Sequence, residues 1–488
     1  MGDGFIEGRK AAAAALGDVL VLGLGKSGKA VARYCLDLLG SRVNSLTIAA
    51  GDYNEDASAF ARECERRGAK VYFDRFTFEE RYDLCIASPG ISQFSRFYEN
   101  AAAASARVIS EVEFAWRESP ADSYWIAVTG TNGKTTTTTL ITHILEGAGR
   151  RVAAVGNIGN TCIDAVAADA ADVYVAEVSS FQLASMDLFA PQVAVLLNIT
   201  PDHLYWHMTF DAYAEAKKNV YRRLSDTGGT LVIDAVCDTT RACIKEFKND
   251  EKRAFDYIPL GCAAGLDRSM KEACGSRNAA WLHDGMLRVE YKDESIELVA
   301  ASSLHNNGEH KAGNALAAAT AALAAGVAPE HVRRGLRSFM PLEHRLEPCG
   351  DIAGVSFFND SKATNVDATC KALSAFAPKT AVFLLGGHDK GTDLADLVRE
   401  STRVCSGVVC FGAAGERFAD AFAEAGSDIA CLRADHMEDA LDAALSIAKP
   451  GQSVVLSPAC ASFDEFDSFE HRGRVFKQLV DFRAQRMR

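Results

Sequence analysis

The stretch Tyr124-Trp-Ile-Ala-Val-Thr129, followed by Gly130-Thr-Asn-Gly-Lys-Thr-Thr136, decides the fold of this chain. Its first half is a continuous apolar run, which is typical of a strand buried on both faces of a parallel sheet. Its second half is a glycine-rich polar loop, and the pattern of residues 137–147 predicts a helix after it. A strand, a glycine loop and a helix in this order are the context that a phosphate-binding loop needs. The sequence therefore predicts an α/β domain that binds a nucleoside triphosphate.

The residue types in the loop suit contact with phosphate oxygens. Glycines let several backbone N–H groups turn toward one anion, and the N-terminus of the following helix adds positive potential. Lys134 can reach the β- and γ-phosphates, and the hydroxyl of Thr135 can bind Mg²⁺. The loop is a shortened variant, because Val128 stands where the full pattern has its first glycine. The alternative is a glycine-rich turn without a ligand.

Alternating strand and helix patterns continue on both sides of the loop. Upstream, residues 18–22 form an apolar strand pattern that precedes Gly23-Leu-Gly-Lys-Ser-Gly28. Downstream, residues 250–303 suggest a mainly antiparallel subregion, and a break near residues 339–345 precedes a third α/β segment. We expect three α/β domains: a Rossmann-like domain at 1–120, a central domain of the phosphate-loop ATPase type at 121–340, and a second Rossmann-like domain at 341–488.

Composition excludes several classes of function. The 488 residues include 52 Lys and Arg against 65 Asp and Glu, a net charge of −13. This acidity argues against a general nucleic-acid binder or a polybasic membrane anchor, but small anionic ligands remain compatible with it. The 14 cysteines contain no CxxC pair, which favours reduced thiols. Without a signal peptide or an apolar run of about 18 residues, we expect a cytoplasmic protein with no membrane span.

Polar residues after two further strand patterns fall near the same crevice. Glu177 ends one strand pattern and His203 follows the next. The carboxyl ends of parallel strands line the ligand crevice, so Glu177 can hold Mg²⁺ opposite Thr135. Glu177 can instead cap the next helix, although Ser179 or Ser180 could also do so. Lys217 lies on a predicted helix, where its pattern alone indicates an ordinary solvated charge.

The N-terminal glycines allow two interpretations. Gly23-x-Gly25-x-x-Gly28 with Asp52 downstream fits a dinucleotide site, but the same turn can receive the pyrophosphate of UDP. We favour UDP, because a dehydrogenase needs no phosphate loop in its next domain. Asp52 is then either a ribose or uracil contact or part of a plain surface loop.

Together these pieces resemble the Mur ligase family, the cytoplasmic peptidoglycan-precursor ligases, over nearly the whole chain. The resemblance is carried by Gly130-Thr-Asn-Gly-Lys-Thr135, Glu177-Val-Ser-Ser-Phe-Gln-Leu183, Asn198-x-Thr-x-Asp-His203, His310-x₃-Asn314 and Glu343-His-Arg345. Three further stretches are similar to the D-glutamate-adding member of the family: Asn359-Asp-Ser-Lys-Ala-Thr-Asn365, Gly386-Gly-His-Asp-Lys-Gly391 and Ser457-Pro-Ala-Cys-Ala-Ser-Phe-Asp-Glu-Phe466.

The resemblance implies an ATP-dependent ligase that adds D-glutamate to UDP-N-acetylmuramoyl-L-alanine through an acyl phosphate, in peptidoglycan precursor synthesis. It implies two Mg²⁺ sites, one on Thr135 and Glu177 and one on His203 and a carbamylated Lys217, and a catalytic set of Lys134, Glu177, His203 and Lys217. It assigns ATP contacts to Gly130, Thr131, Asn132, Gly133, Lys134, Thr135, Thr136, Asn314, Arg345 and Asp360. The implied UDP-sugar contacts are Gly25, Lys26, Ser27, Asp52, Ser88 and Asn157. The implied D-glutamate pocket contains His344, Lys362, Thr364, Lys390, Ser462, Phe463 and Phe469. We expect a monomer.

Two positions depart from the family pattern. Tyr205-Trp206 stands where the family has Asp-Arg, and Lys311 stands where it has an asparagine. Three alternatives remain at this point: another amide ligase of the same fold, such as a sister Mur ligase or a folylpolyglutamate-type enzyme; a binding protein that hydrolyses ATP without ligation; and a Rossmann dehydrogenase.

Overall fold

A computed structural model of the chain describes residues 4–53, 55–262, 269–304, 309–340, 343–373, 375–389 and 391–486, without the side chains of residues 55, 56, 205, 309–311, 367 and 371. The chain falls into two units with separate hydrophobic cores, Met1–Phe339 and Met340–Arg488. The first unit contains two sheets and the second contains one.

The N-terminal sheet has five strands that are all parallel, in the order β3-β2-β1-β4-β5. This is the doubly wound order in which ligands bind beyond the carboxyl ends of the strands. Its elements are β1 (Gly17–Leu22), α1 (Lys26–Asp37), β2 (Val43–Ala49), α2 (Glu55–Arg66), β3 (Lys70–Tyr72), β4 (Leu84–Ala87), α3 (Arg96–Ala104), β5 (Val108–Ser110) and α4 (Glu111–Glu118). The predicted Rossmann-like architecture is confirmed here.

Helix α4 joins the N-terminal sheet to the central one, and all eight of its residues are buried. The carboxylate of Glu113 is ion-paired with Arg117 one turn later and accepts hydrogen bonds from the backbone N–H groups of Asp187 and Leu188 in the central sheet's connections. Buried charges are tolerated when they are paired and hydrogen-bonded, as these are. The two sheets therefore belong to one unit.

The central sheet has nine strands in the order β14-β13-β12-β11-β10-β9-β6-β8-β7. Its elements are β6 (Tyr124–Thr129), α5 (Lys134–Gly147), β7 (Val152–Gly156), α6 (Cys162–Ala167), β8 (Val173–Glu177), α7 (Ser180–Leu183), β9 (Val193–Leu196), α8 (Leu204–His207), α9 (Phe210–Lys218), α10 (Leu224–Thr227), β10 (Thr230–Asp234), α11 (Asp238–Asn249), β11 (Asp256–Gly261), α12 (Met270–Cys274), β12 (Ala279–His283), β13 (Met286–Tyr291), β14 (Glu294–Ala300), a 3₁₀ turn (Ala301–Ser303), α13 (Glu309–Ala324) and α14 (Pro329–Ser338).

The antiparallel part of this sheet is smaller than predicted. Strands β12, β13 and β14 pair antiparallel, which confirms the prediction for them, but β11 pairs parallel with both β10 and β12. Helices connect β10 to β11 and β11 to β12, and such crossovers are what parallel pairing requires. Strand β6 lies between β8 and β9 inside the sheet, which explains its unbroken apolar sequence.

The second unit has a six-stranded sheet in the order β15-β16-β20-β17-β18-β19, parallel except for the edge pair β15–β16. Its elements are β15 (Glu347–Ile352), β16 (Val355–Asn359), α15 (Val366–Leu373), β17 (Ala381–Gly386), α16 (Ala395–Val404), β18 (Cys405–Phe411), α17 (Gly415–Glu424), β19 (Ala430–Ala434), α18 (Met437–Ile447), β20 (Ser453–Ala459) and α19 (Phe469–Arg486). The α/β class is confirmed, whereas the three domain boundaries stay a prediction. Among the described helices, none has the length and apolar character that crossing a bilayer requires.

Candidate active site

The phosphate loop turns sharply at Gly133, which has a φ of +84°. A Cβ at this position would clash with the side-chain oxygen of Asn314, so the position requires glycine for both its dihedral and its space. Helix α5 begins at the next residue, Lys134, three residues earlier than predicted. The N-terminus of α5 and the backbone of residues 130–136 thus lie together, and Asn314 lies against them.

Neighbouring strand ends hold the loop in place. The hydroxyls of Thr131 and Tyr213 share a hydrogen bond of 2.8 Å, and Thr131 Oγ1 also accepts from the backbone N–H of Thr200 at 3.0 Å. The backbone N–H of Asn132 donates to Asn198 Oδ1 at 2.8 Å. Each contact comes from a segment at the carboxyl edge of β9 or from α9. The loop is therefore fixed by the parts of the sheet that also carry His203 and Lys217.

Two lysines donate to one carbonyl oxygen of the loop. Lys134 Nζ and Lys217 Nζ each lie 2.8 Å from the oxygen of Gly130, and Lys134 also donates to Thr131 O at 3.0 Å. Lys217 is only 1% exposed, so its pattern-based interpretation as a solvated charge is wrong. Burial lowers the pKa of Lys217 well below the usual lysine value, and the charge of Lys134 lowers it further. Asp202 and Glu177 oppose this shift only in part.

Glu177 ends β8 and is 2% exposed. Its Oε1 accepts from Asn157 Nδ2 at 2.9 Å, while its buried Oε2 has no hydrogen-bond partner among the described residues. The following helix is capped by Ser179, which forms a capping box with Gln182. The alternative role of Glu177 as a helix cap is therefore filled by another residue. No group of three or more His, Cys, Asp or Glu side chains in the described ranges is arranged to hold a metal by itself.

His203 and His207 bracket the short helix α8. His203 has a φ of +53°, and its Nε2 lies 3.5 Å from Asp202 Oδ2. His207 is fully buried, and its Nε2 shares a hydrogen bond of 2.9 Å with Ser180 Oγ. Burial lowers the pKa of His207 to about 4, and the charges of Lys217 and His203 act in the same direction. The ring of His207 is therefore neutral at neutral pH.

Five of the six predicted UDP-sugar residues lie at the carboxyl edge of the N-terminal sheet, whereas Asn157 follows β7 of the central sheet. Gly25, Lys26 and Ser27 form the start of α1, and Lys26 Nζ donates to the carbonyl of Gly159, two residues after Asn157. Ser88 Oγ donates to Gly23 O at 3.2 Å. Asp52 is exposed in the loop after β2. The structure thus brings the α1 turn and the Asn157 loop together, and it leaves both interpretations of Asp52 open.

In the second unit, several predicted residues meet at the carboxyl end of β16. His344 is buried, its Nδ1 lies 2.8 Å from Asn359 Nδ2, and burial lowers its pKa. Lys362 Nζ lies 5.4 Å from the ring centroid of Phe469. Asp360 Oδ1 accepts from the backbone N–H of the residue after Arg345, at 3.2 Å. These contacts bring residues 344–346, residues 359–362 and Phe469 close together.

The remaining predicted pocket residues differ in exposure. Ser462 is buried, Thr364 is half-buried and Phe463 is 71% exposed, while Lys390 lies outside the described residues. Arg472, which the sequence analysis missed, is fully buried and donates to carbonyls of Ser361, Cys460 and Ala461. It therefore joins the two segments that carry the predicted pocket.

Sequence reasoning also gave no role to Asn198, His207 or Tyr213 near the phosphate loop. Tyr213 precedes Lys217 by four residues on one helix, so their shared face was a usable signal. For Arg472 and His207 no comparable signal exists, because Arg is mostly exposed in proteins and His is found both buried and exposed.

Comparisons with known proteins cover most of the chain. A model described as the Mur ligase middle domain matches residues 128–322, and one described as the Mur ligase, glutamate ligase domain matches residues 344–460. Proteins named UDP-N-acetylmuramoylalanine–D-glutamate ligase are similar to it. Those of Thermoanaerobacter pseudethanolicus and Thermobifida fusca are each 36% identical over 95% of this chain and 97% of their own. That of Salinibacter ruber is 37% identical over 94% and 97%.

Solved structures share the fold at lower identity. The MurF ligase from Thermotoga maritima, solved in complex with ADP, aligns with a TM-score of 0.56 at 17% identity over 91% of this chain and 96% of its own. A pseudomurein peptide ligase type C from Methanothermus fervidus aligns with a TM-score of 0.54 at 17% identity over 95% and 99%.

Proposed function

This chain belongs to the Mur ligase family, and we propose that it is an ATP-dependent ligase that joins D-glutamate to UDP-N-acetylmuramoyl-L-alanine. The amino acid and the UDP-sugar follow from the names of relatives that match nearly the whole chain. The observation that carries ATP-dependent ligation is the position of buried Lys217 beside the phosphate loop, with Glu177 and Lys134 near it. We further propose that the enzyme acts in the cytoplasm as a monomer.

The residues near the loop fit Mg²⁺. Glu177 Oε2 is a buried carboxylate oxygen with no hydrogen-bond partner among the described residues, and Thr135 at the start of α5 adds a hydroxyl. Oxygen ligands of this kind suit Mg²⁺, which usually takes one or two carboxylates plus substrate phosphates. We assign one ion to Thr135 and Glu177, and a second to His203 and Lys217. Bound Mg²⁺ would neutralise charge on the phosphates.

Lys217 can hold Mg²⁺ only after modification, because an ammonium group has no lone pair and Mg²⁺ prefers oxygen ligands to a neutral amine. Its lowered pKa favours the neutral amine, which can attack carbon dioxide. The nitrogen–carbon bond forms, the amine loses a proton, and a carbamate remains with two oxygens and a negative charge. Such a carbamate would lie beside Lys134, whose positive charge would attract it.

The side chains then serve a reaction with two steps. Lys134 binds the γ-phosphate as this group moves to the alanyl carboxylate, which yields ADP and an acyl phosphate. The amine of D-glutamate attacks the acyl carbon, and the tetrahedral intermediate expels phosphate as the amide forms and a proton leaves. Lys26 and the start of α1 would hold the UDP pyrophosphate, since a helix N-terminus favours anions.

The proposed glutamate pocket lies in the second unit. Lys362 and His344 supply nitrogen groups for carboxylates, and Thr364, Lys390, Ser462, Phe463 and Phe469 complete the proposed set. Arg345, Asp360 and Asn314 are proposed ATP contacts, together with residues 130–136.

An amino-acid panel tests the proposal. Release of ADP and phosphate is measured with ATP, MgCl₂ and UDP-N-acetylmuramoyl-L-alanine, and D-glutamate, L-glutamate, L-alanine or meso-diaminopimelate is added in turn. We expect release only with D-glutamate, with one amide product formed per ATP consumed. The Lys134→Met variant controls for contaminating ATPases and should show neither. Release that does not depend on D-glutamate, or that yields no amide, would contradict the proposal.

A further inference from the structure

We infer that His207 is a positioning residue for the nucleotide–metal site, acting through Ser180 and Tyr213. The inference rests on the proposed function, because it concerns the geometry of the groups assigned there to ATP and Mg²⁺. His207 itself touches neither reactant in this assignment.

The ring of His207 is enclosed by aromatic side chains. It is fully buried at the end of α8, and its centroid lies 4.4 Å from that of Trp206, 5.3 Å from that of Tyr213 and 5.7 Å from that of Phe181. Close packing of this kind leaves a side chain little freedom to change rotamer. The ring of His207 is therefore held in one orientation, and the side chains packed against it are held with it.

The polar contact of the ring reaches the segment after Glu177. His207 Nε2 shares a 2.9 Å hydrogen bond with Ser180 Oγ, and Ser180 begins α7, three residues beyond Glu177. Its Nδ1 is buried with no hydrogen-bond partner in the described part of the chain. The Ser180 contact therefore sets the orientation of the ring and, in return, holds the turn that follows Glu177.

Through Tyr213, the ring of His207 is connected to both the phosphate loop and Lys217. Tyr213 rests against His207, its hydroxyl is hydrogen-bonded to Thr131, and its ring lies 4.9 Å from Lys217 Nζ. A displaced Tyr213 would shift the loop contact and the lysine together. In addition, the backbone N–H of His207 donates to the carbonyl of His203 at 3.1 Å. The imidazole of His207 thus contacts the segments that carry Glu177 and Lys217, and its backbone contacts the segment that carries His203.

ADP affinity in the presence and absence of Mg²⁺ separates positioning from general packing. Titration calorimetry with ADP is performed on the whole protein, once with MgCl₂ and once with EDTA. His207→Phe keeps an aromatic ring of similar size but removes both nitrogens. Outer-shell partners of metal ligands typically contribute about 10–100-fold in metal affinity. We expect the factor by which MgCl₂ raises ADP affinity to be at least about 10-fold smaller in His207→Phe than in wild type. ADP affinity in EDTA should stay within about twofold of the wild-type value.

Two further variants keep the inference testable if His207→Phe folds poorly. His207→Gln retains a distal nitrogen for Ser180 and should recover most of the gain, while Ser180→Ala should reproduce the loss. The matched control is His143→Phe, because His143 Nε2 makes the same kind of hydrogen bond, 2.8 Å to Ser338 Oγ. It should behave as wild type.

The outcomes distinguish this inference from the proposed function. A wild-type protein whose ADP affinity does not respond to MgCl₂ would contradict the metal site itself, and with it the inference. A wild type that gains affinity, with His207→Phe and Ser180→Ala gaining equally, would overturn the inference alone. Equal losses in MgCl₂ and EDTA would also overturn it, because they would assign His207 to packing.

Discussion

Replacing Lys134 with methionine should make carbamylation of Lys217 much harder. Both amino nitrogens lie 2.8 Å from the carbonyl oxygen of Gly130, so they cannot be more than 5.6 Å apart. Lys217 is buried, and Lys134 is one cause of its lowered pKa. Lys134→Met removes the charge while keeping an unbranched side chain. The amine of Lys217 then protonates more readily, and the carbamate loses the attraction of a nearby cation.

The geometry sets the size of the effect. Two unit charges at this separation interact by about 3 kcal/mol at an effective dielectric constant of about 20. At about 1.4 kcal/mol for each tenfold change, this is on the order of 100-fold in an equilibrium. We therefore expect the bicarbonate concentration that half-saturates Lys217 to rise on the order of 100-fold in Lys134→Met.

Carbon-13 NMR of the protein with labelled bicarbonate measures this directly, without turnover. Lys217→Met identifies the carbamate signal by removing it. Lys218→Met is the matched control, because Lys218 lies next in the chain but is paired with Glu215 at 2.7 Å. Because only the neutral amine reacts, the signal should grow as pH rises through the lowered pKa of Lys217 and level off below the usual lysine range. Identical bicarbonate dependence in Lys134→Met and wild type would refute the reasoning.

Three further substitutions have defined outcomes. Gly133→Ala should abolish ADP binding, because the added Cβ would clash with Asn314 and the residue has a positive φ. The control is Gly147→Ala at the other end of α5, where an added Cβ meets no neighbouring atom, and this variant should bind ADP like wild type in the same titration. Burial raises the pKa of Glu111 to about 7, so the folded protein binds this proton more tightly than the unfolded chain, and the wild type loses about 3 kcal/mol of stability through this group between pH 4.5 and 7. In urea unfolding, Glu111→Gln should therefore be more stable relative to wild type at pH 8 than at pH 4.5, by about the same amount. A difference between variant and wild type that is the same at both pH values would contradict the assignment. Tyr213→Phe loses a buried hydroxyl contact and should cost about 1 kcal/mol in urea unfolding and raise KM for ATP; an unchanged KM would show that the hydroxyl does not place the loop.

The strand–loop–helix core was predictable because its signals are local. An apolar run, glycines and a following helix pattern are contiguous in 124–147, and the structure forms β6 and α5 there. The helix start was misplaced by three residues, because Thr135 and Thr136 suggest a loop by composition. Their place after a left-handed glycine makes them the first turn of the helix instead.

The edge strands were not predictable from periodicity. Strand β15 contains Pro348, Gly350 and Asp351, and every residue of β19 is exposed or half-buried. Edge strands are stabilised on one side only and tolerate proline and charge, so their sequences lack the apolar run that marks β17 and β20. The structure identifies them through pairing with β16 and β18.

In the candidate site, too, some residues could be placed from the sequence and others could not. Residues at strand ends, such as Glu177 and His203, could be placed near the phosphate loop from the sequence, because position along the sequence indicates position in a parallel sheet. The burial of Lys217 and Arg472 could not be found, because burial depends on segments that pack against them from far along the chain. Lys217 donates a hydrogen bond to the carbonyl of Gly130, 87 residues away, and Arg472 donates one to the carbonyl of Ser361, 111 residues away.

Helix α4 limits how this protein can be divided or recombined. Two of its carboxylates accept hydrogen bonds from backbone on the far side of the boundary: Glu113 from Asp187 and Leu188, and Glu111 from Ile163. A chimera that takes its first 120 residues from a relative would leave these carboxylates facing foreign backbone. Truncation at the same point would remove the groups that cover those N–H donors. The first two sheets thus form one module, and a cut that respects the fold lies at the boundary between the two units, after Phe339.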